Sequence, residues 1–183
     1  MTRQRWWLAA IAFAAIIVTV WVVKNRGRDR LAVDLVKEFS TAKKQPNAAV
    51  FSVIDATLAG STQPAILATQ ASRITWRVTV PEDGPWLRVK LGLKEEVWTT
   101  PGDGVRFLII MSDGKTSDNL MAQDVNPYAN PADRQWKEVA LNLAQYAGET
   151  LDLMFIVYSG PPSGKDDRNG DLALWGAPRL VER

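Results

Sequence analysis

An antiparallel all-β sandwich carried behind one N-terminal transmembrane α-helix is the fold class this sequence predicts. Three observations predict it. Residues 6–23 are apolar with a single polar interruption. Beyond Pro46 the apolar residues recur at every second position, the period of a half-buried strand. Those runs are short and divided by turns rich in Pro, Gly and Asp, which suits many strands rather than a few long elements. At 183 residues and 46% hydrophobic, the chain holds material for one core of ordinary size and an appendage.

The appendage comes first. Residues 6–23 read WWLAAIAFAAIIVTVWVV, with Thr19 the polar exception. As a helix this run spans about 27 Å, close to the roughly 30 Å hydrocarbon core of a bilayer. Arg3 and Arg5 flank one end, and Lys24, Arg26, Arg28 and Arg30 the other. Trp6, Trp7 and Trp21 stand where an interfacial aromatic belt belongs, and the long basic side chains of Arg26 and Arg28 can reach lipid headgroups. A cleaved signal peptide has a shorter apolar stretch followed by small residues. Here Val22-Val23-Lys24-Asn25-Arg26 follows instead, so residues 1–30 are expected to stay as an anchor.

Residues 31–47 are expected to form a juxtamembrane amphipathic helix and linker. Leu31, Leu35 and Phe39 recur every four positions with Val36 beside them, and Lys43-Lys44-Gln45-Pro46 ends the pattern.

The sandwich domain is expected over residues 48–183. Phe51, Val53 and Asp55 mark its first strand, alternating with smaller residues. Residues 73–80 are the clearest strand: Ile74, Trp76, Val78 and Val80 face one way, and Arg73, Thr75, Arg77 and Thr79 the other. Residues 81–85 turn the chain, and Leu87, Val89, Leu91 and Leu93 mark the returning antiparallel partner. Residues 105–111 are nearly continuously apolar, as in a central strand covered on both faces. Residues 112–115 read as a hairpin turn leading into a short strand over 119–123, and 125–134 as a loop rich in Pro and Asn. Strands over 135–141, 150–158 and 172–180 complete seven to nine in all.

A more specific pattern lies in the second half. Trp136, Val139, Leu141, Leu143, Tyr146-Ala147-Gly148, Leu151, Leu153 and Phe155 follow one another at strand and corner spacing. Asp171 and Trp175-Gly176-x-Pro178 come near the end. With the turn at Pro81-x-x-Gly84 and the strand start Asp103-Gly104-Val105, residues 48–181 resemble galactose-binding-like jelly-roll domains. That β-sandwich is shared by many carbohydrate-binding modules and by accessory domains of bacterial surface proteins. The resemblance implies binding rather than catalysis, with glycans held on loops at one end and, in some members, a structural calcium ion. Trp136 and Tyr146 read as core and corner packing.

Candidate ligand residues follow from chemistry. A sugar needs an aromatic platform beside hydrogen-bonding groups, because its ring has apolar C–H faces. Trp98 and Tyr128 are the candidates, with Trp86, just after a turn, behind them. In the loop SGPPSGKDDRNGD, Asp166, Asp167, Asn169 and Asp171 are hard oxygen ligands of the kind calcium prefers, although the EF-hand pattern is lacking. A solvated polar loop is the competing reading of those four.

Composition excludes much else. There is no Cys and no His, which removes thiol nucleophiles, imidazole acid–base chemistry and zinc sites built on those ligands. Glu95 and Glu96, as strand neighbours, would point to opposite faces and make a poor acid–base couple. A non-enzymatic protein is expected, with no cofactor beyond that calcium ion. The net charge is +2, but residues 1–30 hold six Lys/Arg and one Asp, leaving sixteen basic and nineteen acidic residues for 31–183. A domain of net −3 does not suit nucleic acid.

Two functions fit. The first is an accessory or scaffold subunit docking its sandwich onto a larger membrane complex, of which a photosynthetic or respiratory assembly is an example. Small residues at Ala9, Ala10, Ala12, Ala14 and Ala15 would let its helix pack closely with others. The second is a membrane-tethered glycan-binding module of the cell envelope. The first is favoured at this point. The flanking charges alone, two Lys/Arg before the run and four after, put the domain on the cytoplasmic side. The N-terminal amine narrows that difference and the resembling domains are exported, so the periplasmic face of a bacterial inner membrane is expected.

Overall fold

The computed structural model describes residues 29–161 and 169–183. The proposed anchor, with Trp6, Trp7, Trp21, Arg26 and Arg28, lies outside the described residues, as do Asp166 and Asp167. Among the described residues no helix is long and apolar enough to cross a membrane. Leu31–Glu182 make one unit by themselves.

Alternation along the chain sorts its strands into two sheets. One runs in the order β3 (Phe51–Leu58), β4 (Ser61–Ala68), β11 (Ala173–Glu182), β6 (Pro85–Leu93), β9 (Lys137–Asn142), and β1 (Arg30–Asp34) also pairs with β11. The second runs β2 (Lys43–Gln45), β5 (Ser72–Thr79), β10 (Thr150–Ser159), β7 (Val105–Ser112), β8 (Ser117–Val125). Neighbours in each order are antiparallel.

The core lies between the sheets. Ile74, Trp76 and Val78 of β5 and Leu151, Leu153, Phe155 and Val157 of β10 are buried, as their parity predicts. Across the gap, Trp175 of β11 meets Phe107 edge-on at 4.8 Å and Phe155 at 4.5 Å. Each such ring removes roughly 150–250 Å² from water, which makes these aromatics the principal clamp between the layers.

The helix expected over 31–47 is not formed. Residues 30–34 are strand β1, Lys37–Ser40 a single 3-10 turn and Lys43–Gln45 strand β2. The backbone groups a helix would satisfy internally are taken by other partners. The Asp34 carboxylate accepts the N–H groups of Val36 (3.1 Å) and Lys37 (3.3 Å), ending the strand. Leu35 N–H donates to Pro178 at 3.0 Å, beside a bulge in β11 between Gly176 and Arg179. Trp76 Nε1 donates to the Glu38 carbonyl at 3.2 Å and pins the turn. Of the apolar residues spaced by four, Leu35 is fully buried while Leu31 is exposed, so no common helical face exists.

Three further expectations change. β5 and β6 do not pair with each other: after Val80 the chain crosses to the other sheet, where β6 lies between β11 and β9. β7 is covered fully on one face only, with Arg106, Leu108 and Ile110 half-buried on the other. In β3, Phe51 is buried but Val53 is exposed. The opposite parity, Ile54, Ala56 and Leu58, joins Ala65, Leu67, Trp98, Trp136 and Leu174 in a satellite cluster on the outer face of the first sheet.

Candidate functional site

The alternation that sends Leu151, Leu153, Phe155 and Val157 of β10 inward leaves Tyr158 on the outer face of the second sheet, where it is 46% exposed. On β5 the same rule turns Arg73 outward. Register brings the two strands and β2 together: Gln45 lies opposite Arg73, and Arg73 opposite Ile156. Between them opens a cleft of about 400 Å³, walled by Gln45, Pro46, Ala71, Ser72, Arg73, Ile156, Val157 and Tyr158. None of these residues is acidic. On the other flank Tyr158 pairs with Arg106, whose guanidinium is held bidentate by Asp124 at 2.6 and 2.8 Å. That bond keeps the Asp124 carboxyl below the ordinary carboxylate range and its arginine fully charged. An open phenol ring, an aliphatic floor at Ile156 and side-chain donors on one wall can hold a ligand with both an apolar face and polar edges.

A second cavity of about 300 Å³ lies under the β7–β8 hairpin, among Ser112, Asp113, Thr116, Asp118, Gln145, Tyr146 and Glu149. Its groups are mostly committed. Asp113 accepts the N–H groups of Lys115 and Thr116, both at 2.7 Å. Tyr146 donates its hydroxyl to Asp118 at 2.7 Å. Burial first, then that carboxylate, pushes the Tyr146 phenol above its ordinary value. The ring is itself buried, so it offers no platform.

The aromatics singled out in the sequence are scattered by the fold. Trp98 is half-buried; its Nε1 donates to the Leu93 carbonyl at 2.9 Å and its ring packs on the satellite cluster. Tyr128 is 48% exposed, held by an Asn126 side chain that accepts its N–H at 3.1 Å, and the space beside it is only about 10 Å³. Trp86 sits at the far end of β6 from Leu93, with the Arg88 guanidinium 5.2 Å over its ring. Trp136 and Tyr146 are buried, as packing residues should be. Glu95 and Glu96 fall on a 3-10 turn, not a strand. Glu95 accepts the Ala59 N–H at 2.7 Å and Glu96 pairs with Lys94 at 3.0 Å.

Of the four calcium candidates, Asn169 and Asp171 are described, and Asp171 is buried. Among the described residues no three acidic, His or Cys side chains stand close enough to hold a metal ion. Tyr158 and Arg73 are not among the ligand residues expected from the sequence. The signal was present: Tyr158 is an aromatic at the solvent parity of a strand whose inner parity is fully apolar.

No family model matches the chain. An uncharacterized protein of Archaeoglobus fulgidus is 30% identical over 104 residues, which are 56% of this chain and 25% of that protein. The match thus spans about a quarter of the length of that relative. Among solved structures, CBM28, a carbohydrate-binding module specific for non-crystalline cellulose, superposes with a TM-score of 0.53 at 9% identity, over 85% of this chain and 98% of that one. TmCBM61, solved with β-1,4-galactotriose, gives 0.51 at 12% identity, over 79% and 90%. The fold is that of the carbohydrate-binding β-sandwiches, as the sequence resemblance implied.

Proposed function

We propose that the described domain is a non-catalytic glycan-binding module whose ligand lies in the cleft beside Tyr158. One observation carries the reading: an exposed aromatic ring next to a cleft of sugar-sized volume with polar side chains along its wall. A pyranose would lay its C–H face on the Tyr158 ring and Ile156. Its hydroxyls would meet Gln45 and Arg73. Likeness to modules that bind cellulose and galactotriose supports the class of ligand, without naming it.

The accessory-subunit expectation therefore yields to the glycan-binding one. The exposed large apolar residues among those described, Leu31, Val53, Tyr128 and Tyr158, lie on three different strands and a loop. That distribution does not support a docking patch. The apolar run at 6–23 supports a tether; the periplasmic face of a bacterial inner membrane is the side we propose for the domain.

The test is a glycan array followed by calorimetry on the full chain in detergent micelles. Tyr158→Ala should weaken binding about two- to tenfold, since a stacked ring contributes roughly 0.5–1.5 kcal/mol. Trp98→Phe and Trp86→Ala should leave it unchanged. An array with no bound glycan, or Tyr158→Ala binding as tightly as the parent, would reject the site.

A further inference from the structure

Three arginines share the outer face of the second sheet near the cleft, and register treats them differently. Arg77 of β5 stands directly opposite Asp152 of β10, and the two are bonded at 3.1 Å. Arg106 of β7 stands directly opposite Asp124 of β8, bonded at 2.6 Å. Arg73 stands opposite Gln45 on one side and Ile156 on the other, neither of them charged. It makes no ion pair or side-chain hydrogen bond among the described residues, and it is the arginine that lines the cleft. Lys43, two positions before Gln45 and on the same face of β2, also has no acidic partner among them. With no carboxylate lining it, the cleft is a local positive site on a domain of net −3.

From this placement we infer that the cleft selects an acidic glycan, with the Arg73 guanidinium receiving a sugar carboxylate while the same ring stacks on Tyr158. The inference rests on the glycan-binding reading and adds the substrate class. A guanidinium fork matches the two oxygens of a carboxylate, and such a bond is stronger than one between neutral groups. The domain's negative balance argues against a densely charged polyanion such as nucleic acid, whose many phosphates would meet few cations here. A uronate sugar carries its charge on a single carboxylate attached to one ring carbon and keeps an apolar C–H face, which is what this wall and floor can take together.

The experiment uses the full chain in micelles and oligosaccharides of galacturonate, glucuronate and mannuronate, each paired with its carboxyl-reduced neutral counterpart. The acidic member of at least one pair should bind about tenfold or more tightly than its neutral counterpart, with the preference shrinking as salt rises. Arg73→Gln should erase the preference by weakening the acidic member far more than the neutral one, Arg73→Lys should restore part of it, and Tyr158→Ala should weaken both members. Arg73 is solvent-facing, so its variants should keep the parent circular dichroism spectrum and melting temperature. Equal affinity within every pair, or an Arg73→Gln variant that loses both members alike, would overturn the acidic-glycan inference and leave the glycan-binding reading standing. Binding to none of these sugars would overturn the inference, and the glycan-binding reading would fall with it only if the array also showed no bound glycan. Tighter binding to a single-stranded oligonucleotide than to any uronate would also overturn the inference.

Discussion

Adding one methyl group at Gly176 probes the outer layer of the first sheet. A Cβ there would stand 2.7 Å from Cζ3 of Trp136, 3.0 Å from Cη2 and 3.1 Å from Cε3. Ordinary carbon contacts lie near 3.5–4.0 Å, so the ring would have to retreat by several tenths of an ångström. It has little freedom to do so. Its Nε1 is bonded to the Ser61 carbonyl at 2.9 Å, and the ring is packed in a cluster with Leu58, Ala65 and Leu174. Overpacking of this kind costs roughly 1–3 kcal/mol. The lower unfolded-state entropy of alanine returns about 0.4–1 kcal/mol. Gly176→Ala should therefore destabilise by about 1–2 kcal/mol, a drop in melting temperature of roughly 2–8 °C for a domain of this size. The decisive assay is a double-mutant cycle by urea or thermal unfolding. Trp136→Ala alone should cost about 3–5 kcal/mol. In that background Gly176→Ala should become neutral or slightly stabilising, because the obstacle is gone. An equal penalty in both backgrounds would refute the assignment of the clash to Trp136.

Other outcomes follow from single contacts. Trp175→Ala, which empties the space between Phe107 and Phe155, should cost about 3–5 kcal/mol and collapse the near-ultraviolet dichroism. Trp98→Phe should cost about 0.5–1.5 kcal/mol through the lost bond to Leu93, without changing glycan binding. Backbone hydrogen bonds, first from Thr116 and then from Lys115, hold the Asp113 carboxyl below its ordinary 3.8. A carboxyl depressed on folding stabilises above its unfolded value, and that contribution fades as pH falls through the lower folded value. Asp113→Ala should thus flatten the acid limb of the stability–pH curve below 3.8 and leave the loss of stability at alkaline pH unchanged.

Much of the core was legible because strand parity is a local property. The inward rows of β5 and β10 follow from residues 73–80 and 151–157 alone, as does the buried fate of Trp136 and Tyr146. The cleft was not legible as a site. Tyr158 and Arg73 are 85 positions apart in the chain, and only the β5–β10 register brings them to one wall. Trp98 attracted notice as an aromatic among polar neighbours, yet its indole is turned back to Leu93, a bond no local pattern announces.

The division follows from what each level of structure can know. The sequence by itself determined the class of fold, the parity of its main strands and the exclusion of imidazole and thiol chemistry, since these depend on neighbouring residues and on composition. Tertiary structure alone decided that residues 31–47 are strands and a turn rather than a helix. Leu35 finds its hydrogen bond at Pro178, and Trp76 reaches the Glu38 carbonyl, over distances no local period encodes. It also decided that two of three arginines on one face are opposed by aspartates while Arg73 is not. Which residues face each other across a sheet is set by register between strands far apart in the chain.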